Sequence, residues 1–217
     1  LRADLTGNQG AIMRREPSHA ELIERARALA GSGNRQILGI CGPPGAGKST
    51  LAAKIVAALG DQAALVGMDG FHLAQTELDR LGRADRKGAP DTFDADGYLA
   101  LLQRLRANVD EVVYAPEFRR EIEDAVANAV PVPCDVPLVV TEGNYLLLWP
   151  LVRPQLDEVW YLDPDHELRR KRLFDRHLAY GRTPAQAWAR TDGSDERNAH
   201  LVAVTGRTAD LVLRKIE

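Results

Sequence analysis

At 217 residues the chain is long enough to bury one full α/β core, and a composition that is 45% hydrophobic and 27% charged is that of an ordinary globular protein. A formal net charge of −3 argues against nucleic-acid or membrane-surface partners, and two cysteines are too few for a disulfide framework. No apolar run reaches the length of a spanning helix and the N-terminal stretch lacks the apolar centre of a signal peptide, so a cytoplasmic protein with buried thiols at Cys41 and Cys134 is expected.

Residues 1–17 are polar and unpatterned and read as a mobile tail, with a single domain over 18–217. Ser18 followed by Glu21 makes a capping box and Gly31 ends an alanine-rich run, which predicts a helix over 19–30. Ile37 to Cys41 reads as a short buried strand. The stretch GPPGAGKST, Gly42 to Thr50, follows it directly and opens into LAAKIVAAL, a run of good helix formers. Gly42, four residues, then Gly47, Lys48 and Ser49 meet the full phosphate-loop pattern in the strand–turn–helix setting that confirms it. Gly42, Gly45 and Gly47, with Pro43, Pro44 and Ala46 between them, let the backbone curl so that successive N–H groups converge on an anion. The helix N-terminus adds its partial positive charge. Lys48 can then reach the β- and γ-phosphates of ATP, while Ser49, beside Thr50, presents a hydroxyl to Mg²⁺.

Gly60 and Asp61 break the helix, and AALVG forms a second strand ending just before Met68, Asp69, Gly70, Phe71 and His72. Asp69 therefore sits at the carboxyl end of a parallel strand, where ligands collect. Residues 82–93 read as a loop, Leu99, Leu102 and Leu105 predict a helix over 96–108, and EVVYA is a strand stopped by Pro116. Segment 118–132 fits both the helical and the strand period and is read as extended ribbon. PLVVTEG is a strand ending in Glu142 and Gly143, and EVWYLD another ending at Asp163. Pro164 opens an arginine-rich helix closed near Gly181, and Thr183 with Pro184 begins a second. Asp192, Gly193 and Ser194 interrupt that helix before a third run to about Val204, and ADLVLRKI supplies the last strand. Strands alternating with helices predict an α/β fold, a doubly wound parallel sheet, with a helical lid around 164–195.

A switch GTPase needs a base-reading Asn-Lys-x-Asp, which is absent. The D-x-x-G matches at Asp79 and Asp94 read as helix boundaries, and a calcium loop starting at Asp94 would place Leu105 where its glutamate belongs. A small-molecule kinase needs an acid to orient the acceptor hydroxyl, a second acid for the metal shell and mobile cations for the transferring group. Asp69, Glu142 and an arginine face supply these: Arg169, Arg172 and Arg176 fall at i, i+3 and i+7, with Arg182 beyond the helix end.

The order GPPGAGKST, MDGFH, RKGAPDTFD, TEGNYLLL and LDPDHELRRKRLFDRH resembles the uridine kinase, phosphoribulokinase and bacterial pantothenate kinase superfamily. Within it the chain is most similar to bacterial fructose transport system kinases and nucleoside/nucleotide kinase-like proteins. The resemblance implies ATP and Mg²⁺, a base at Asp69, a magnesium ligand at Glu142 that also borders the substrate, and ATP-phosphate contacts from Arg172, Arg176 and Arg182. It implies phosphoryl transfer to a small-molecule hydroxyl, a sugar first, with pantothenate or a nucleoside as alternatives. A regulatory ATP-binding module of a transport system is the alternative of another class. Candidate acceptor contacts are His72, Arg86, Lys87, Asp91, Tyr114, Arg119, Asn144 and Tyr145. His19, His166, His177 and His200 have no metal-ligand spacing, and Trp149, Trp160 and Trp188 read as packing residues. A small-molecule substrate is the expected partner, and a homodimer is left open.

Overall fold

The computed structural model describes residues 13–15 and 17–215. Six parallel strands, β1 (Met13–Arg15), β2 (Gln36–Cys41), β3 (Ala63–Gly67), β6 (Leu138–Gly143), β7 (Glu158–Leu162) and β8 (Leu211–Leu213), form one sheet in the order β1-β8-β7-β2-β6-β3. Strands β4 (Val112–Arg119) and β5 (Asp124–Pro133) form a separate antiparallel ribbon. The helices are α1 (His19–Ala30), α2 (Lys48–Leu59), α3 (Gln75–Arg80), α4 (Ala95–Ala107), α5 (His166–Ala179), α6 (Pro184–Arg190) and α7 (Glu196–Ala203).

Side chains alternate across each strand, so the central strands feed two cores. From β2, Ile37 and Cys41 enter one, while Leu38 and Ile40 enter the other; Val159 and Tyr161 of β7 oppose Trp160 and Leu162 in the same way. Helices α1 and α2 close the second core with Leu22, Ala26, Leu51 and Ile55. Helix α4 closes the first with Tyr98, Leu101, Leu102 and Leu105. Burying each such side chain contributes about 1.5–3 kcal/mol, and the result is the predicted doubly wound sheet. Parallel pairing in register brings the C-terminal ends of β2, β3 and β6 together on one edge.

Local signals account for most boundaries. Ser18 accepts from the Glu21 N–H and Glu21 accepts from the Ser18 N–H at 2.9 Å, closing the capping box of α1. Thr183 and Gln186 do the same for α6, with Pro184 at its first turn. Four expectations are corrected. Residues 13–15, read as tail, pair with Leu211–Leu213 as an edge strand; the rest of that stretch apart from Pro17 lies outside the described residues. Strand β4 continues through Pro116, because the register shifts between Ala115 and Glu117 and a bulge asks for no donor from the proline. Asp192 to Ser194 do not break the helix: Thr191–Asp195 widen into one π-helical turn before α7. Cys134 is exposed, although Cys41 is buried as expected. Among the described residues no helix is long and apolar enough to cross a membrane.

Candidate active site

The turn after β2 is shaped by three glycines at positive φ: Gly42 at 143°, Gly45 at 79° and Gly47 at 96°. A Cβ at Gly42 would lie 2.5 Å from the Leu162 carbonyl oxygen, so the strand end is held against β7 in a way no larger residue permits. Gly47 is the N-cap of α2 and offers no side-chain hydrogen bond, which leaves the first N–H groups of a 12-residue helix to face the surrounding cavity. Gly45, Ala46, Gly47, Lys48, Ser49 and Thr50 line that cavity of about 920 Å³, together with Arg172 and Arg176 of α5. Pro44 lines a cavity on the opposite side, Gly42 borders neither, and Pro43 acts through its backbone, its carbonyl accepting from Ala46 N–H and from Lys48 Nζ.

Lys48 is buried, and Nζ donates at 3.0 Å to Pro43 O and at 2.7 Å to Asn144 Oδ1, both neutral. Burial pushes its pKa below the usual lysine value, with the charges of Glu142 and Asp69 opposing that shift. A buried ammonium with neutral direct partners is a site that gains from an incoming anion. Beside it, Ser49 Oγ donates to Glu142 Oε1 at 3.0 Å. Glu142 is in register with Ile40 of β2 and Gly67 of β3, so the sheet itself sets its position. Burial first, and the Asp69 charge second, raise the pKa of its carboxyl. Asp69 follows β3 in a short 3-10 turn, and its Oδ2 lies 3.7 Å from Arg120 Nη2.

A second cavity of about 210 Å³ opens on the other side of Lys48 and Ser49. Asp69, Glu142 and Asn144 form its floor. The ribbon contributes Phe118 and Arg120, residues 72–93 contribute His72, Lys87 and Phe93, and the lid helices contribute His177, Tyr180, Arg182 and Arg190. His72 donates from Nδ1 to the Asp69 carbonyl at 2.8 Å and packs against Phe93 and Phe118; burial lowers its pKa and keeps the ring neutral. Asn198 of α7 donates to Gly88 O at 3.2 Å, tying the lid to the facing loop.

Of the residues singled out from sequence, the structure gathers Lys48, Ser49, Asp69, His72, Lys87, Glu142, Asn144 and Arg176 around this cavity. Arg182 lines it too, on the side away from the phosphate loop amides on which ATP contacts were expected. Arg86 instead pairs with Asp91 at 2.7 Å, Arg119 pairs with Glu117 at 3.4 Å, and Tyr114 points to solvent from the ribbon. Tyr145 is buried and its hydroxyl donates to Gly88 O at 2.6 Å, a wall support. Arg169 is no free lid cation: it is buried, bonded to Pro44 O at 3.4 Å and ion-paired with Glu196. Sequence reasoning missed Arg120, Phe118, His177, Tyr180 and Asp195. His177 donates from Nε2 to Asp195 Oδ2 at 2.7 Å, while its Nδ1 accepts from Arg182 Nη1 at 3.2 Å.

A helix start with no side-chain cap, a buried lysine and two acids at adjacent strand ends converge on the boundary between two cavities, one of about 920 Å³ and one of about 210 Å³. That division of labour defines a P-loop phosphotransferase. The chain belongs to the phosphoribulokinase/uridine kinase family, whose model matches residues 37–216. It is 35% identical over 214 residues to a Schizosaccharomyces pombe protein named "putative uridine kinase", covering 92% of this chain and 91% of that one. Its fold superposes with a TM-score of 0.81 on the crystal structure of a "putative fructose transport system kinase" from Silicibacter sp. TM1040, at 34% identity over 90% of this chain and 98% of the other. The pantothenate kinase of Limosilactobacillus reuteri is 29% identical, covering 82% and 68% of the two chains. The protein is thus a small-molecule kinase with an ATP-binding phosphate loop.

Proposed function

We propose that the protein transfers the γ-phosphoryl group of Mg·ATP to a hydroxyl of a small polar acceptor of sugar size. One observation carries the reading: the two cavities meet at Lys48, Ser49, Arg120, Arg176 and Tyr180, so a donor phosphate on the loop side and a hydroxyl beside Asp69 share one boundary. Bound Mg·ATP supplies the transferable group and a divalent charge. Lys48 and the loop amides hold the β- and γ-phosphates, and Arg172 and Arg176 offset charge on the migrating group. Asp69 takes the acceptor proton as the acceptor oxygen bonds to phosphorus and the bond to the ADP oxygen breaks. Ser49 Oγ and the Glu142 carboxylate are hard oxygen donors suited to Mg²⁺. Among the described residues no three His, Cys, Asp or Glu side chains cluster as a metal site, which suits an ion that draws its other ligands from phosphate and water. Helices α5 to α7 keep bulk water from the transferring group.

A polar lining and a volume of about 210 Å³ support a sugar-sized acceptor, and the name of the Silicibacter structure puts fructose first in a test panel. ADP formation is measured with fructose, other sugars, pantothenate and nucleosides, in wild type, Lys48→Met and Asp69→Asn. The expected result is acceptor-dependent turnover that falls at least about a hundredfold in both variants. ATP binding without acceptor-dependent ADP formation, with every biological output surviving Asp69→Asn and lost in Lys48→Met, would establish the regulatory module instead.

A further inference from the structure

The acceptor cavity carries more positive charge than phosphoryl transfer uses. Lys48 and Arg176 face the donor phosphates, and Arg120 stands beside Asp69. Three cations remain on the acceptor side. Lys87 donates only to neutral oxygens, Glu123 O at 2.6 Å and Gln75 Oε1 at 3.4 Å. Arg182 bonds only the His177 ring and no carboxylate. The Arg190 guanidinium makes no hydrogen bond or ion pair among the described residues. On the acid side, Asp195 accepts from His177 and Glu123 lies exposed at the turn of the ribbon, so the lining sets six cations, Lys48, Lys87, Arg120, Arg176, Arg182 and Arg190, against the four carboxylates of Asp69, Glu123, Glu142 and Asp195. A neutral polyol closed in by the lid would leave this excess of cations uncompensated and Arg182 and Arg190 without a direct ionic partner, an arrangement that costs free energy.

We propose that the acceptor is itself an anion, a hydroxylated molecule bearing a phosphate or carboxylate group that Arg182 and Arg190 grip. The inference rests on the kinase reading and specifies the class of its acceptor. Guanidinium groups suit planar or tetrahedral oxyanions because they offer paired N–H donors. Arg182 is aimed in advance: by accepting from its Nη1, His177 Nδ1 fixes the tautomer whose Nε2–H points to Asp195, so orienting the arginine is not a cost deferred to binding. The lid-to-loop bond from Asn198 to Gly88 O closes the same wall and sets Lys87 across the cavity from these two arginines.

The test is isothermal titration of the Mg·AMP-PNP-loaded protein with matched pairs: fructose and fructose 6-phosphate, glycerol and glycerate, panthenol and pantothenate. In at least one pair the anionic member should bind about tenfold or more tightly than the neutral one, and whether that pair is the phosphate or a carboxylate identifies the group. Arg182→Gln and Arg190→Gln should each weaken that member about tenfold and leave AMP-PNP affinity within about twofold. Failure of every anionic member to bind, equal binding within every pair, or a preference that survives the double variant would overturn the proposal. Phosphorylation of the neutral members as efficiently as the anionic ones overturns it while sparing the kinase reading. Selective anion binding with no phosphoryl transfer from ATP overturns the kinase reading alone.

Discussion

Arg176 and Arg169 lie two turns apart on α5 and should respond to the same substitution in opposite ways. Arg176 lines both cavities, its guanidinium makes no hydrogen bond or ion pair among the described residues, and burial is the main cause that pushes its pKa down. Two unit charges about 4 Å apart at an effective dielectric near 20 interact by about 4 kcal/mol. If two-thirds of that is gained only as charge builds on the migrating phosphoryl group, roughly 2.7 kcal/mol of barrier depends on Arg176, about a hundredfold in rate. Arg176→Met should therefore lower kcat about a hundredfold with the KM for ATP within about threefold. It strands no partner, so thermal stability should hold or rise. Arg169 is 3% exposed and paired with Glu196, and Arg169→Met leaves that carboxylate without its buried counter-charge. A loss of about 3 kcal/mol is expected, or about 6–12 °C in Tm for a chain of this size. Steady-state ADP release and scanning calorimetry on both variants decide the matter. An Arg176→Met enzyme within about fivefold of wild-type kcat, or one as destabilised as Arg169→Met, would refute the assignment.

Three further outcomes follow from the same geometry. The folded-state pKa of Glu142 lies above 4.5, so the folded protein holds this proton more tightly than the unfolded chain, and the group's contribution to stability falls as pH rises from about 4.5 through the folded value. Glu142→Gln keeps an acceptor for Ser49 Oγ and removes the titration, so the wild-type-minus-variant unfolding free energy, from urea series at successive pH values, should decline over that window; a rise would contradict the burial argument. Gly42→Ala would set a methyl group 2.5 Å from Leu162 O at a φ of 143°, and should cost about 2–4 kcal/mol in denaturant titrations, an effect that a conservative surface change cannot mimic. Cys41 is buried with its thiol pushed up to about 12, whereas Cys134 is exposed, so Ellman's reagent at pH 8 should titrate one thiol in the folded protein and two in guanidinium chloride.

The donor side was legible because it is written in contiguous residues. A phosphate loop recognises its ligand with backbone N–H groups, so spacing alone specifies where glycines must bend the chain and where the helix must begin. Asp69 and Glu142 were legible for a related reason: one follows an apolar strand and the other lies near the end of one, and strands that pair in parallel place their C-terminal ends together. A capping box at Ser18, and an N-cap at Thr183 followed by Pro184, marked helix starts without reference to tertiary contacts.

The acceptor side is assembled from side chains on four separate segments, and there local pattern fails for an identifiable reason. Counting alternation along β4 from Val113 and Ala115, both buried, puts Arg119 on the cavity face and Arg120 away from it. The bulge at Pro116 shifts that alternation: Phe118 faces inward, Arg119 turns out to Glu117, and Arg120 reaches Asp69 from the turn. A neighbouring pair of arginines offers no means of choosing between them until the bulge is known. His177 illustrates the same limit from the lid, where a histidine without metal-ligand spacing was given an ordinary role. Its significance lies in bonding Asp195, which a π-helical turn 18 residues away brings to it. Recognition through backbone geometry leaves a sequence signature that survives in one short stretch. Recognition through converging side chains depends on irregularities, one bulge and one widened turn, that re-aim residues by a single position, and such irregularities are where a family can change its acceptor without disturbing its phosphate loop.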